Sequence, residues 1–73
     1  MTTPSPGRFG ALQPIANKCA SSSCPTVYRS DTPGVLVVQG FSVTPQEAGL
    51  DVPDGEMLIE IPVELLREAA RHL

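Results

Sequence analysis

The run from Cys24 to Val43, CPTVYRSDTPGVLVVQGFSV, constrains this chain more than any other segment. It reads as a strand, a Pro-Gly turn and a second strand. The first strand is expected over Thr26–Ser30, with Pro25 at its first position, where a missing N–H donor is tolerated. Side chains alternate across a strand, so Val27 and Arg29 point one way and Thr26, Tyr28 and Ser30 the other. In the turn, Pro33 followed by Gly34 matches type II geometry, with glycine supplying the positive φ. The second strand is expected from Val35 to Val43. Its first half is apolar on both faces, the pattern of a central strand or of one covered by a partner. Gly40 inside it marks a bulge or a close backbone approach.

Beyond this unit, Thr44-Pro45-Gln46-Glu47 carries a cap residue, proline at the first helical position and glutamate three after the cap. Gly49 follows so soon that one helical turn is expected. Met57, Ile59 and Ile61 alternate with Glu56, Leu58 and Glu60, which predicts a third strand over Glu56–Ile61. Pro62 then opens a helix to the C-terminus, with Val63, Leu66, Ala70 and Leu73 on one stripe. Glu64 near its start and Arg71 and His72 near its end suit the helix dipole. Residues 1–23 are rich in Thr, Pro, Ser and Gly and hold few apolar side chains, so a flexible, disordered tail is expected there. The expected fold is α+β: a small three-stranded antiparallel sheet with one C-terminal helix, in a single ββ(turn)βα domain over residues 24–73. With 73 residues there is no room for a second domain, and a unit this small buries a modest core.

Charge is divided unevenly. Residues 1–30 hold Arg8, Lys18 and Arg29 and no acid; residues 31–73 hold Arg67, Arg71 and all 8 acids. The folded part is acidic, and the chain has 1 Tyr, 2 Phe and no Trp. Such a surface is poorly suited to hold a phosphate backbone, so direct nucleic-acid binding is not expected. A partner protein with a basic patch fits better; a modest negative charge also serves solubility alone. No apolar run approaches the ~20 residues of a membrane span. The N-terminus lacks the apolar segment of a signal peptide, so a cytoplasmic location is expected.

Few residues offer chemistry. Cys19 and Cys24 stand five positions apart in number, with four residues between them. Reduced thiols, a small disulfide loop and a metal site all fit that spacing. Zinc takes four ligands; one chain has 2 Cys and 1 His, so a zinc site would need a dimer pooling four thiolates, or His72 and a carboxylate folding back. His72 stands next to the last residue, a poor place for a positioned acid or base. No glycine-rich phosphate loop is present, and no histidine neighbours the cysteines to activate a thiolate. No enzyme is expected, and no cofactor beyond zinc.

What remains is surface. If Val37 and Ile59 face the helix, Leu36, Val38 and Leu58 lie on the uncovered sheet face, with Tyr28 beside them. An exposed apolar patch of that kind marks an interaction site, unless Phe9 and Leu12 of the N-terminal arm cover it. The elements Cys24-Pro25-Thr26-Val27-Tyr28, Asp31, Gly34, Val37-Val38-Gln39-Gly40, Gly55-Glu56 and Ile59-Glu60-Ile61-Pro62 resemble a set of small actinobacterial proteins of unknown function, typically encoded near helix-turn-helix regulators. More loosely, the strand–turn–strand unit and proline-started helix are similar to the BldB-type group of small developmental regulators; those usually carry tryptophan in the N-terminal segment, where this chain has none. The resemblance implies a cytoplasmic accessory protein, homodimeric, acting through a partner such as a DNA-binding regulator.

Overall fold

The computed structural model describes residues 7–17 and 24–73. Its elements are β1 (Gln13–Asn17), β2 (Thr26–Arg29), β3 (Leu36–Gln39), β4 (Phe41–Val43), α1 (Pro45–Ala48), β5 (Leu58–Glu60) and α2 (Val63–Ala70). The architecture is α+β, as the sequence leads one to expect. A three-stranded antiparallel sheet has the order β1-β2-β3, and β4 pairs with β5 in a second, two-stranded sheet.

Three expectations need correction. The first concerns the N-terminal tail. Residues 13–17 form the edge strand β1, so the folded unit begins well before residue 24. Composition alone argues against this strand, because Gln13, Pro14 and Asn17 are polar or donor-poor. Pairing overrides it: β1 lies against β2, and Asn17 Nδ2 donates to Thr26 Oγ1 at 2.9 Å. Upstream, the N–H of Gly10 donates to the carbonyl of Gly7 at 3.0 Å. Asp31 ties this turn down: its N–H donates to the carbonyl of Phe9 at 2.8 Å, and its carboxylate accepts from the N–H of Ala11 at 3.2 Å.

The second correction concerns the long strand. It breaks at Gly40 into β3 and β4, and the strand containing Leu58–Glu60 pairs with β4 instead of completing the main sheet. The break follows from a close approach. A Cβ on Gly40 would stand 2.6 Å from the Glu60 carbonyl oxygen and 2.9 Å from Ile61 Cγ2. Only glycine lets the backbone fold over there.

The third concerns the helix. The side chains that α2 buries are Leu65 and Ala69, one turn apart, while Val63, Leu66, Ala70 and Leu73 are exposed. Leu65 is fully enclosed and packs with Ala69, Ala16 and Val27; Ile15 and Ile61 flank this cluster. Alanines at 16 and 69 let the helix sit close over β1 and β2, the strands it contacts. The stripe with more apolar bulk therefore faces outward.

The local signals at the turns hold. The N–H of Val35 donates to the carbonyl of Thr32 at 3.2 Å and Gly34 has φ +76°, a type II turn. Thr44 caps α1 in a reciprocal box: its N–H donates to Glu47 Oε1 and its hydroxyl accepts from the Glu47 N–H, each at 3.1 Å. The backbone N–H and then the side chain of Thr44 hold the Glu47 carboxyl below its ordinary range.

Candidate interaction surface

Directly opposed residues in an antiparallel pair share a face. The register of β2 on β3 opposes Val27 to Val38, Arg29 to Leu36, and Tyr28 to Val37. Val27 is buried under α2, with 1% of its surface exposed. Val38 and Leu36 therefore lie on the helix-bearing face, opposite to the expected one. The helix packs chiefly over β1 and β2, and each of these two side chains remains 38% exposed. Arg29 Nη2 donates to the His72 carbonyl at 2.6 Å and fastens the end of the helix to β2. Leu73, just past α2, lines a shallow cavity with Val35, Leu36 and Pro33. Leu73 thus brings one apolar side chain from beyond the end of α2 beside β3, while Val63 and Leu66 are exposed on the helix itself. Leu66 is 61% exposed and Leu73 75%.

Tyr28 lies on the other face, in a polar ladder. Its hydroxyl donates to Gln39 Oε1 at 3.1 Å, and Gln39 Nε2 donates to the Cys24 carbonyl at 3.2 Å. Thr26 Oγ1 donates to the same carbonyl at 2.8 Å. Thr26 itself is 1% exposed, and no buried polar side-chain atom among the described residues lacks a partner. Such a ladder fixes the strands relative to one another. Leu58 sits elsewhere again. It opposes Val43 on the second sheet and lines a groove with Val43, Pro45, Val52 and Pro53.

Of the four side chains expected together, only Leu36 and Val38 meet. Sequence reasoning placed Val63, Leu66, Ala70 and Leu73 on one stripe but did not include them in the interaction surface. The signal for their exposure was present: a helix with apolar residues on two arcs can bury only one against a sheet this narrow.

Cys24 is disulfide-bonded, and Cys19 lies outside the described residues. In that state the Cys24 sulfur offers no thiolate, the form a zinc site requires. Among the described residues no group of three or more His, Cys, Asp or Glu side chains could hold a metal ion. No helix of the described residues is long and apolar enough to cross a membrane. No family model, no curated protein and no solved structure matches the chain.

Proposed function

We propose that this chain is a small, non-enzymatic interaction module that acts through a protein partner such as a DNA-binding regulator. The observation that carries this reading is the helix: α2 buries Leu65 and Ala69 and turns Val63 and Leu66 outward. Val63 and Leu66 are neighbours at helical spacing, and exposed apolar side chains grouped in this way favour a contact that covers them. The surrounding charge narrows the partner. Residues 31–73 carry 8 acids against Arg67 and Arg71, so a partner with an apolar anchor and a basic rim fits, whereas a phosphate backbone does not. The test is quantitative affinity capture from the native host with the unaltered chain, Leu66→Glu and Met57→Glu. Both positions are exposed, so both variants fold. Leu66→Glu is expected to lose the captured protein by tenfold or more, while Met57→Glu retains it. Equal capture by both variants counts against the reading.

The bridge at Cys24 favours a second reading, a redox-responsive protein using Cys19 and Cys24, with zinc as an option only for the reduced thiols. Reducing compartments keep thiols open, so a cytoplasmic chain would close the bridge only under oxidising conditions. Closing it would firm the polar ladder that ends at the Cys24 carbonyl. A bridge at the low end of the usual range is worth about 2 kcal/mol. Reduction is then expected to lower the melting temperature by roughly 10 °C, with the mass rising by about two hydrogens. Identical melting curves with and without reductant would remove this reading.

A further inference from the structure

We infer that β3 pairs antiparallel with β3 of a second copy, joining two three-stranded sheets into one of six strands. The inference deepens the interaction reading by naming one occupant, and it shares with that reading the premise that the exposed apolar side chains become covered. Its basis is a difference between the two edges of the main sheet. The β1 edge is blunted: Pro14 has no N–H to offer, and a bulge shifts the register between Pro14 and Ala16. Proline and bulges are the usual protections against edge-to-edge pairing. The β3 edge has neither. Among the described residues β3 pairs with β2 alone. It carries no proline, no charge and no bulge, and it presents Leu36 and Val38 half-covered.

A second copy suits this edge for reasons of charge and register. An acidic chain repels its own copy wherever acids meet, and none of its 8 acids falls within Leu36–Gln39. A two-fold axis perpendicular to the sheet keeps like faces together, so opposed residues must come from the same face. Centring the pair on Val37 meets that condition. Val37 then opposes Val37 of the second copy, and Leu36 opposes Val38 on both sides. Across Leu36–Val38 every opposed pair is apolar, Gln39 falls opposite Val35, and each partly exposed side chain on the helix-bearing face gains a neighbour on its open side. Leu66, on the helix, stays outside this contact, free for a different partner. A single four-residue strand pair falls below the ~1,200 Å² of stable complexes, so the dimer is weak, with a dissociation constant on the order of 100 µM.

The test uses the full chain, with bridge intact and with reductant, in sedimentation equilibrium from about 10 µM to 1 mM. A reversible monomer–dimer equilibrium is expected in both states. In a mixture of differently labelled chains, isotope-filtered NMR is expected to show contacts between Leu36 of one copy and Val38 of the other. Val38→Lys and Leu36→Lys are each expected to weaken the dimer at least tenfold, and Leu66→Glu to leave it unchanged. The labelled-chain experiment needs no variant, so misfolding of either lysine variant leaves the question decided. A monomer at 1 mM overturns the inference, as does a dimer that dissociates on reduction or shows its contacts at another strand. A monomeric chain whose partner capture still depends on Leu66 would overturn this pairing while leaving the interaction reading intact.

Discussion

Leu65→Ala is expected to cost about 3 kcal/mol of folding stability, the largest effect of any single truncation among the described residues. Leu65 is 0% exposed and is the largest of the fully buried side chains. Its removal leaves a cavity between α2, β1 and β2 that Ala16 and Ala69 are too small to fill. Buried leucine truncations in this class cost about 2.7–5 kcal/mol. A domain of this size is stable by about 5 kcal/mol in all, so the variant loses more than half and unfolds at much lower urea. Leu66→Ala, one residue along, is expected to change stability by less than about 0.5 kcal/mol. Urea denaturation followed by circular dichroism separates the two. Similar losses at both positions would mean that the helix presents a different face to the sheet.

That comparison also shows why the helix could be found in the sequence and its buried face could not. Pro62 and the acid near the start mark where α2 begins, whereas the helix, expected to reach the C-terminus, ends at Ala70. Two apolar arcs lie on it, Leu65 with Ala69, and Val63 with Leu66, Ala70 and Leu73. Periodicity favours the arc with more bulk. Packing favours the arc that permits the closest approach, and alanines on both α2 and β1 decide it. Side chains on β3 pose the same problem. Val35 to Val38 are apolar on both faces, so alternation has no polar member to fix the orientation. The register with β2 fixes it instead, and it puts Leu36 and Val38 beside the helix. β1 is the opposite case: its sequence is weak, and the strand exists because β2 and α2 give it neighbours. Turns and caps were legible in advance because they depend on single residues acting locally, as Gly34 and the Thr44–Glu47 pair do. The candidate surface was half legible for the same reason: its members on β3 announce themselves, while those on α2 depend on which arc is buried.

Gly40→Ala is expected to be the second most damaging change, at about 2 kcal/mol, and its effect is steric. Gly40 does not have a positive φ, so alanine suits the backbone there. The difficulty is the added methyl, placed 2.6 Å from a backbone carbonyl oxygen at Glu60 and 2.9 Å from Ile61 Cγ2. The Ile61 side chain can rotate aside, but the Glu60 carbonyl belongs to β5 and moves only with the strand. Overpacking of this kind costs about 1–3 kcal/mol. The second sheet has no buried residue in either strand to resist the push. It is held to the rest of the fold where Gly40 passes Glu60 and where Ile61 packs against the core. The loss should therefore be directional. Amides of β4 and β5 are expected to exchange faster in Gly40→Ala by tenfold or more, with those of β2 changed only by the global loss. Gly7→Ala, where an added Cβ meets nothing within 4 Å, is the matched control and is expected to be neutral. If β4 and β5 keep their protection in Gly40→Ala, the close approach does not hold the second sheet in place, and the break between β3 and β4 must have another cause.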